Sequence, residues 1–426
     1  MKRCTIEHIT FVNNGCSIQY QYTFSTDIKK YFNSRAPYYV TYNLDVSTTP
    51  KSIAIIPLLA NLMPIAWFAG FDVEVDVVDQ VFFNSLISLK KEFNKYYPNK
   101  KFKGELIAKK LVDNTILGKE TALLFSGGLD SFESYTRNYE KNPYLISIHG
   151  ADVEIKDTKR WSDFKRYNTE EEIVANDKLF YIETNVRDFY TYKVELLVGI
   201  GWWGKIQHGM ALLGVIAPLG YQLGITKILI GSSNTVEVDF GWGSCPNIDE
   251  KMKWANSIVI HDGYHLRRPD KIDHIVAYVQ KNNVHIKLRV CYSELRDGYN
   301  CSFCTKCQRT ILGLLLSGAN PNDYGFKVPK NIYSLILDNF KTGTTMSTGV
   351  KYEWKCLQDK ANSSPTFFVL DNKDFEQEQL HTFINLNLEK LISVDLEKTK
   401  PIYKLKFILR NKFKEIYKTY KKIRYH

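Results

Sequence analysis

The spacing of hydrophobic and polar positions changes along the chain, and the first change falls near residue 116. Before it, residues 17–22 and 73–77 alternate apolar and polar side chains, which predicts half-buried strands. The apolar run 53–69 is interrupted by two prolines and is short for a bilayer span of ~20 residues, so it predicts a buried helix or a pair of helices. We therefore expect residues 1–115 to form an α+β accessory unit.

After residue 116, short apolar runs alternate with longer segments of helical spacing. The runs that predict strands are residues 122–125, 144–148, 178–183 and 227–230, and those that predict helices are 131–140 and 205–223. This alternation is typical of an α/β fold with a parallel sheet. Ligands of such sheets bind outside the carboxyl ends of the strands. The segments at those ends are 126–131, 149–152, 183–185 and 231–234.

The last unit, residues 319–426, begins with a turn-rich segment and is expected to be mainly helical. Its basic tail, residues 400–426, has apolar side chains at helical spacing, with lysines on the other face. These are Leu405, Leu409, Phe413, Ile416, Tyr420 and Ile423. The pattern predicts an amphipathic helix, which either packs on the body of the protein or lies on an anionic membrane surface.

Composition supports a globular protein of two or three domains, which we place at 1–115, 116–318 and 319–426. The chain has 426 residues, of which 44% are hydrophobic and 24% charged. Ten of its 57 Lys and Arg and one of its 46 Asp and Glu fall in the basic tail, which leaves 47 and 45 for the rest. The net charge of +11 therefore does not predict a nucleic-acid surface on the body. The start of the chain lacks the apolar core of a signal peptide, which favours a cytoplasmic protein. Peripheral contact at the inner face of the membrane is expected only for the alternative in which the tail lies on lipid.

One glycine loop lies between a predicted strand and a predicted helix. Its residues are Ser126, Gly127, Gly128, Leu129, Asp130 and Ser131. Glycines bring main-chain N–H groups close to a ligand, and a helix N-terminus adds unpaired donors, so the loop predicts a phosphate site. The spacing fits neither common nucleotide motif. The alternative is an ordinary turn in which Asp130 caps the helix, with Glu133 completing a capping box.

The order S-G-G-x-D-S resembles the PP-loop of the ATP pyrophosphatase superfamily, which includes GMP synthetase, NAD synthetase and 7-cyano-7-deazaguanine synthase. Members cleave ATP between the α and β phosphates. The resemblance implies that the whole loop binds ATP with Mg²⁺ and that Ser126, Asp130 and Ser131 take part in catalysis. The two hydroxyls and nearby main-chain N–H groups would hold the leaving pyrophosphate, while Asp130 shapes the loop or reaches Mg²⁺ through water.

Four of the eight cysteines form a second motif with the spacing C-x9-C-x2-C-x2-C. They are Cys291, Cys301, Cys304 and Cys307. Thiolates at this spacing suit a closed tetrahedral Zn²⁺ site with a structural role. An Fe-S cluster and a disulfide pair are the alternatives. The other four, Cys4, Cys16, Cys245 and Cys356, are scattered and are predicted to be small core residues.

A PP-loop followed by four clustered cysteines resembles 7-cyano-7-deazaguanine synthase over residues 116–318. The resemblance implies an adenine nucleotide alpha hydrolase-like core in which a carboxylate, such as 7-carboxy-7-deazaguanine, attacks ATP to give an acyl-adenylate. Ammonia or another amine then displaces AMP to give an amide, which a second ATP can dehydrate to a nitrile. The candidates for substrate contact are Asn185, Arg187, His208, Asn234 and Lys271. The alternatives are strand-end turn residues for Asn185 and Asn234, a helix histidine for His208 and surface charges for Arg187 and Lys271.

The chain also departs from that family, because it lacks the Asp that precedes the family's cysteine near Cys245 and carries large flanking units. Similar additions occur in relatives from antiviral defence systems, so a protein partner or a protein-borne carboxylate is also expected. Two other functions stay open. One is a PP-loop amidotransferase acting on a sugar in surface-polysaccharide synthesis, and the other is an ATP-binding scaffold without turnover. Sulfur transfer to tRNA is disfavoured because the body is not basic.

Overall fold

The main sheet of the described part of the chain has ten strands. The computed structural model describes residues 2–238, 241–291, 298–341, 345–364, 366–388, 392–393 and 401–413. The strands are β1 (Arg3–Val12), β2 (Ser17–Phe24), β3 (Tyr39–Tyr42), β4 (Asp72–Asp79), β5 (Leu106–Val112), β6 (Glu120–Leu124), β7 (Tyr144–His149), β8 (Leu179–Thr184), β9 (Ile225–Gly231) and β10 (Ile258–Asp262). Two short strands, β11 (Thr345–Met346) and β12 (Ile392–Ser393), pair separately.

Helices surround the sheet and dominate the C-terminal region. The first group is α1 (Lys51–Ala54), α2 (Ile56–Ala69), α3 (Gln80–Tyr96), α4 (Leu129–Arg137), α5 (Thr158–Glu170), α6 (Tyr192–Glu195), α7 (His208–Gly214) and α8 (Ala217–Leu223). The second is α9 (Pro246–Asp249), α10 (Arg268–Asn282), α11 (Thr305–Leu316), α12 (Ile332–Asp338), α13 (Thr348–Ser363), α14 (Lys373–Ile384) and α15 (Pro401–Lys412). Among the described residues, none of these helices is long and apolar enough to cross a bilayer.

The strand order is β10-β9-β6-β7-β8-β3-β2-β1-β4-β5. Strands β6 to β10 pair in parallel, which confirms the α/β class and the parallel sheet predicted after residue 116. Strands β1, β2, β3 and β8 are joined by antiparallel pairs, and β4 and β5 extend the far end in parallel. The sheet thus continues across residue 115, while the division into three domains stays a prediction.

The two largest hydrophobic cores of the described residues lie on opposite faces of the sheet. Ala122 and Ile228 belong to the first core, with the apolar helices α1, α2, α7 and α8. Their neighbours Leu123 and Leu229 belong to the second, with α4, α10, α11 and the C-terminal helices up to α14. Successive strand residues point to opposite faces, which explains this separation. The C-terminal region therefore covers one face of the sheet that carries the glycine loop.

Two predicted helices take a more detailed form. The apolar run 53–69 forms a pair, α1 and α2, as one of the two predictions had it. The segment 205–223, predicted as one helix, is divided into a π-helix at Trp203–Gln207 followed by α7 and α8. Pro218 lies in the first turn of α8, where its missing N–H is tolerated. In the interior of one continuous helix over 205–223, the same proline would remove a hydrogen bond and break the helix.

The basic tail is described only as far as residue 413. Within α15, Leu405 and Leu409 are exposed by 53% and 46%, so this face does not pack on the body. Phe407 contacts the ring of Tyr192, at 6.4 Å between centroids. Residues 414–426, which include the predicted apolar positions Ile416, Tyr420 and Ile423, lie outside the described residues.

Candidate functional site

The glycine loop leaves β6 and enters α4, as the hydrophobic pattern predicts. Gly127 has a φ of +67°, a left-handed conformation that glycine adopts without strain. Ser126 Oγ accepts from Gly128 N at 3.3 Å, and Ser131 Oγ donates to Gly128 O at 3.1 Å. The two serine hydroxyls therefore stabilise the loop from inside. The first N–H groups of α4 have no partner within the helix and remain available to a ligand.

Asp130 does not cap the helix. The N-cap is Gly128, and Asp130 lies within the first turn of α4. Its Oδ1 lies 3.0 Å from Lys271 Nζ, and its Oδ2 accepts from Ser233 Oγ at 3.3 Å. The buried Lys271 also donates to the carbonyl of Ser232. Burial raises the pKa of Asp130, but the positive charges of Lys271 and Arg268 outweigh burial and lower it overall.

The loop forms one wall of a cavity of about 160 Å³. Three cationic side chains line this cavity, Arg268, Arg289 and Lys306, and two carboxylates, Asp130 and Asp152. The apolar part of the lining includes Trp161, Phe164 and Trp242. Sites for organic ligands are commonly apolar clefts with a few placed polar groups, and this cavity has that character together with an excess of positive charge.

Arg289 is a site residue that sequence reasoning missed. Its N–H donates to Gly127 O at 2.7 Å, and its guanidinium donates to Ser126 O. The guanidinium also lies over the ring of Phe164, 4.1 Å from the centroid. These contacts join residues more than 120 positions apart, so no local pattern marks them. The only available sign was that Arg289 precedes Cys291 by two residues.

The residues proposed for substrate contact separate into two groups. His208 lines the cavity. Lys271 does not line it but forms an ion pair with Asp130, which does. Asn185 and Arg187 are not among the lining residues. The side chain of Asn185 accepts from Tyr39 N at 3.0 Å and donates to Pro37 O at 2.7 Å, so it joins β8 to the segment around β3.

Arg187 contacts residues distant in sequence, whereas Asn234 makes a contact within its own turn. Arg187 donates to Ala151 O at 3.1 Å and lies 5.0 Å from the ring of Trp203. The carbonyl of Asn234 accepts from Ser232 Oγ at 2.7 Å, which closes the turn after β9. Neither residue is part of the cavity lining.

The four clustered cysteines meet in space. Their sulfur atoms all lie within 4.8 Å of one another. The Sγ atoms of Cys291 and Cys304 are 3.8 Å apart, those of Cys301 and Cys307 3.9 Å, and those of Cys304 and Cys307 3.5 Å. Zn–S bonds of about 2.3 Å in a tetrahedron place sulfurs about 3.8 Å apart, so the cluster can hold a metal ion such as zinc. All eight cysteines are free of disulfide bonds.

The cysteine cluster lies next to two cavity residues in the sequence. Arg289 lies two residues before its first cysteine, and Lys306 lies between Cys304 and Cys307. Asn300 fixes the base of the segment, because its side chain accepts from Cys291 N at 3.2 Å and donates to Leu288 O at 2.7 Å. Two of the three cavity cations thus come from the segment that can hold the metal.

The core position predicted for the remaining four cysteines is observed for three of them and not for Cys16. Cys4, Cys245 and Cys356 are buried, and Cys16 is half-buried. Burial raises the pKa of Cys245, which disfavours the thiolate form needed by a nucleophile. Its sulfur lies 3.6 Å from the hydroxyl of Tyr96.

Comparison of the chain with protein-family models, curated proteins and solved structures gives no match.

Proposed function

We propose that this protein is an ATP-dependent ligase that adenylates a carboxylate, releases pyrophosphate and then forms an amide with an amine. The observation that supports this most directly is that the glycine loop and three cationic side chains line the same cavity. A triphosphate carries several negative charges, and both helix N-terminal N–H groups and arginines are suited to phosphate oxygens.

The cavity residues offer distinct contributions to such a reaction. Arg268, Arg289 and Lys306 would compensate the charge that develops on pyrophosphate as it leaves. Lys271 holds Asp130 in place, and Asp130 with Asp152 supplies the carboxylates that would hold Mg²⁺. Bound Mg²⁺ would neutralise phosphate charge, and it is commonly held by one or two carboxylates together with substrate phosphates.

The proposed chemistry has two steps. A carboxylate oxygen forms a bond to the α phosphorus, and the bond to pyrophosphate breaks with its electron pair on the leaving group. An amine nitrogen then forms the C–N bond, AMP leaves with the electron pair of the C–O bond, and the amine releases one proton to solvent. The resemblance to 7-cyano-7-deazaguanine synthase supports 7-carboxy-7-deazaguanine as the first carboxylate to test.

The test incubates the protein with ATP, Mg²⁺, ammonium chloride and 7-carboxy-7-deazaguanine and measures AMP and pyrophosphate. We expect both products to form in equal amounts and only when the carboxylate is present. Lys306→Gln should weaken ATP binding by about tenfold, since a charge-assisted contact is lost. Lys109→Gln is the matched control, because Lys109 is 82% exposed on β5 and should leave ATP binding unchanged.

The other outcomes separate the competing functions. AMP formed only with a sugar substrate would favour the amidotransferase. ATP binding without AMP under every condition would favour the non-catalytic scaffold and would contradict the ligase.

A further inference from the structure

A series of hydrogen-bonded, buried polar side chains connects the turn after β9 with Ser244 in the cavity lining. Ser232, Asp249 and His261 are all buried, with exposed fractions of 0%, 0% and 6%. His261 Nε2 lies 2.8 Å from Ser232 Oγ, and His261 Nδ1 lies 2.7 Å from Asp249 Oδ2. The series ends at Ser244, whose hydroxyl donates to Asp249 Oδ2 at 2.7 Å.

Ser244 is the member of this series that lines the cavity. A serine hydroxyl has one hydrogen and two lone pairs, and an ionised carboxylate only accepts. Because the hydrogen of Ser244 is directed to Asp249, its lone pairs are what remain for a ligand. Ser244 is therefore an acceptor in the cavity wall and pairs with an N–H or O–H donor.

The backbone around Ser244 is fixed by close packing. Gly243 N donates to Gly204 O, and Gly243 O accepts from Gly209 N, both at 2.8 Å. A Cβ atom on Gly209 would lie 1.9 Å from Asp249 Oδ1, so α7 approaches the carboxylate as closely as glycine allows. The hydroxyl of Ser244 consequently has a fixed position and a fixed polarity.

We propose that Ser244 binds the amine substrate and that Asp249 and His261 are positioning residues that fix its polarity. This inference rests on the proposed ligase function and adds the location of the nucleophile. Of the three reacting groups, phosphate and carboxylate only accept hydrogen bonds, whereas an amine donates. A neutral amine bound through one N–H to Ser244 keeps its lone pair for attack on the acyl carbon.

The experiment separates adenylation from amide formation in the full-length protein. Carboxylate-dependent exchange of labelled pyrophosphate into ATP reports adenylation and needs no amine. Amide formation at varied ammonium chloride concentration gives the KM for the amine. For Ser244→Ala we expect the KM for the amine to rise about tenfold, because one hydrogen bond to a polar partner is lost. The rate of pyrophosphate exchange should change less than twofold.

Two further variants make the result specific. Ser244→Thr keeps the hydroxyl, so its KM for ammonium should stay within about threefold of that of the unaltered protein. This limit corresponds to the smallest usual contribution of one hydrogen bond. Ser88→Ala is the control, because Ser88 donates only to Asn84 O within α3 and should change nothing.

The outcomes that contradict the inference are distinct from those that contradict the ligase. Exchange retained with an unchanged KM for ammonium in Ser244→Ala would overturn the Ser244 site alone. A raised KM for ATP or for the carboxylate, with that for ammonium unchanged, would also overturn it. Absence of exchange in the unaltered protein would overturn the proposed ligase and this inference with it.

Discussion

At the scale of single residues, the backbone of Gly127 explains why the glycine loop needs glycine at this position. Its left-handed φ of +67° costs a residue with a side chain roughly 1–2 kcal/mol. A Cβ atom there would also lie 3.4 Å from Asn168 Oδ1, at the edge of ordinary contact. A substitution therefore acts mainly through the loop conformation.

We expect Gly127→Ala to lose nucleotide affinity as well as stability. The free energy of unfolding should fall by about 1 kcal/mol, and binding of a non-hydrolysable ATP analogue should weaken at least about tenfold, because the loop cannot keep its amide positions. Calorimetry and denaturant unfolding measure the two effects.

Gly199→Ala is the matched control for Gly127→Ala. Gly199 has a similar φ of +70°, and a Cβ atom there would meet nothing within 4 Å. It should lose similar stability and keep its affinity for the analogue. Equal loss of affinity in both variants would contradict a local role for Gly127.

The residues of the loop could be predicted because they are adjacent in sequence and lie between a strand and a helix. Arg268 and Arg289 could not, since only the tertiary fold brings them to the loop. Asn185 illustrates the reverse case. Its place at the end of β8 suggested substrate contact, but in the structure its amide joins main-chain groups around β3.

At the scale of elements, the four-cysteine segment has a consequence for the cavity. It carries Arg289 just before its first cysteine and Lys306 within its last C-x2-C pair. A metal held by four sulfurs would fix both ends of this segment and, with them, two of the three cavity cations. The spacing of the cysteines predicted the cluster, but the link to the cavity depends on how the segment folds back on the glycine loop.

On the proposed function, removing a metal held by this cluster should therefore weaken nucleotide binding. After chelation, we expect affinity for a non-hydrolysable ATP analogue to fall at least about tenfold, since two charge-assisted contacts lose their geometry. Cys304→Ser should show the same loss together with a lower zinc content, measured by metal analysis and calorimetry. Circular dichroism checks that the sheet is intact.

Cys16→Ser controls for a general effect of losing a thiol, because Cys16 lies outside the cluster. It should retain both metal and affinity. Full affinity after complete removal of the metal would contradict the link between the cluster and the cavity.

At the scale of the whole molecule, the C-terminal region contributes to the cavity through α13. Glu353 Oε2 accepts from Arg309 Nε at 2.7 Å and lies 3.5 Å from Nε of Arg268, a cavity residue. Burial raises the pKa of Glu353, but the two arginines outweigh burial and lower it overall. Tyr352 on the same helix donates to Glu237, near the turn after β9.

Glu353→Gln should destabilise the fold by about 3 kcal/mol near neutral pH, because two buried arginines lose their counter-charge. Since the pKa of Glu353 is lowered in the folded state, its stabilisation is present above the ordinary carboxyl pKa of about 4.3 and is lost as the pH falls through the folded value. The difference in unfolding free energy between the unaltered protein and Glu353→Gln should therefore become smaller below about pH 4.

Glu378→Gln is the control for Glu353→Gln, because Glu378 is exposed on α14. Its unfolding free energy should follow that of the unaltered protein across the pH range. A difference for Glu353→Gln that stays constant down to about pH 3 would contradict the ion-pair explanation.

The antiparallel pairing of β3 with β8 also has a consequence for the biosynthesis of the protein. Ribosomes release the N-terminal strands first, and β3 pairs with β8 only after about 140 further residues, as in the pairing of Val40 with Thr184. Until then, one edge of the nascent sheet has unpaired N–H and C=O groups, a known template for aggregation. Synthesis of this protein thus includes an interval in which the edge of β3 is unpaired and open to association with other chains.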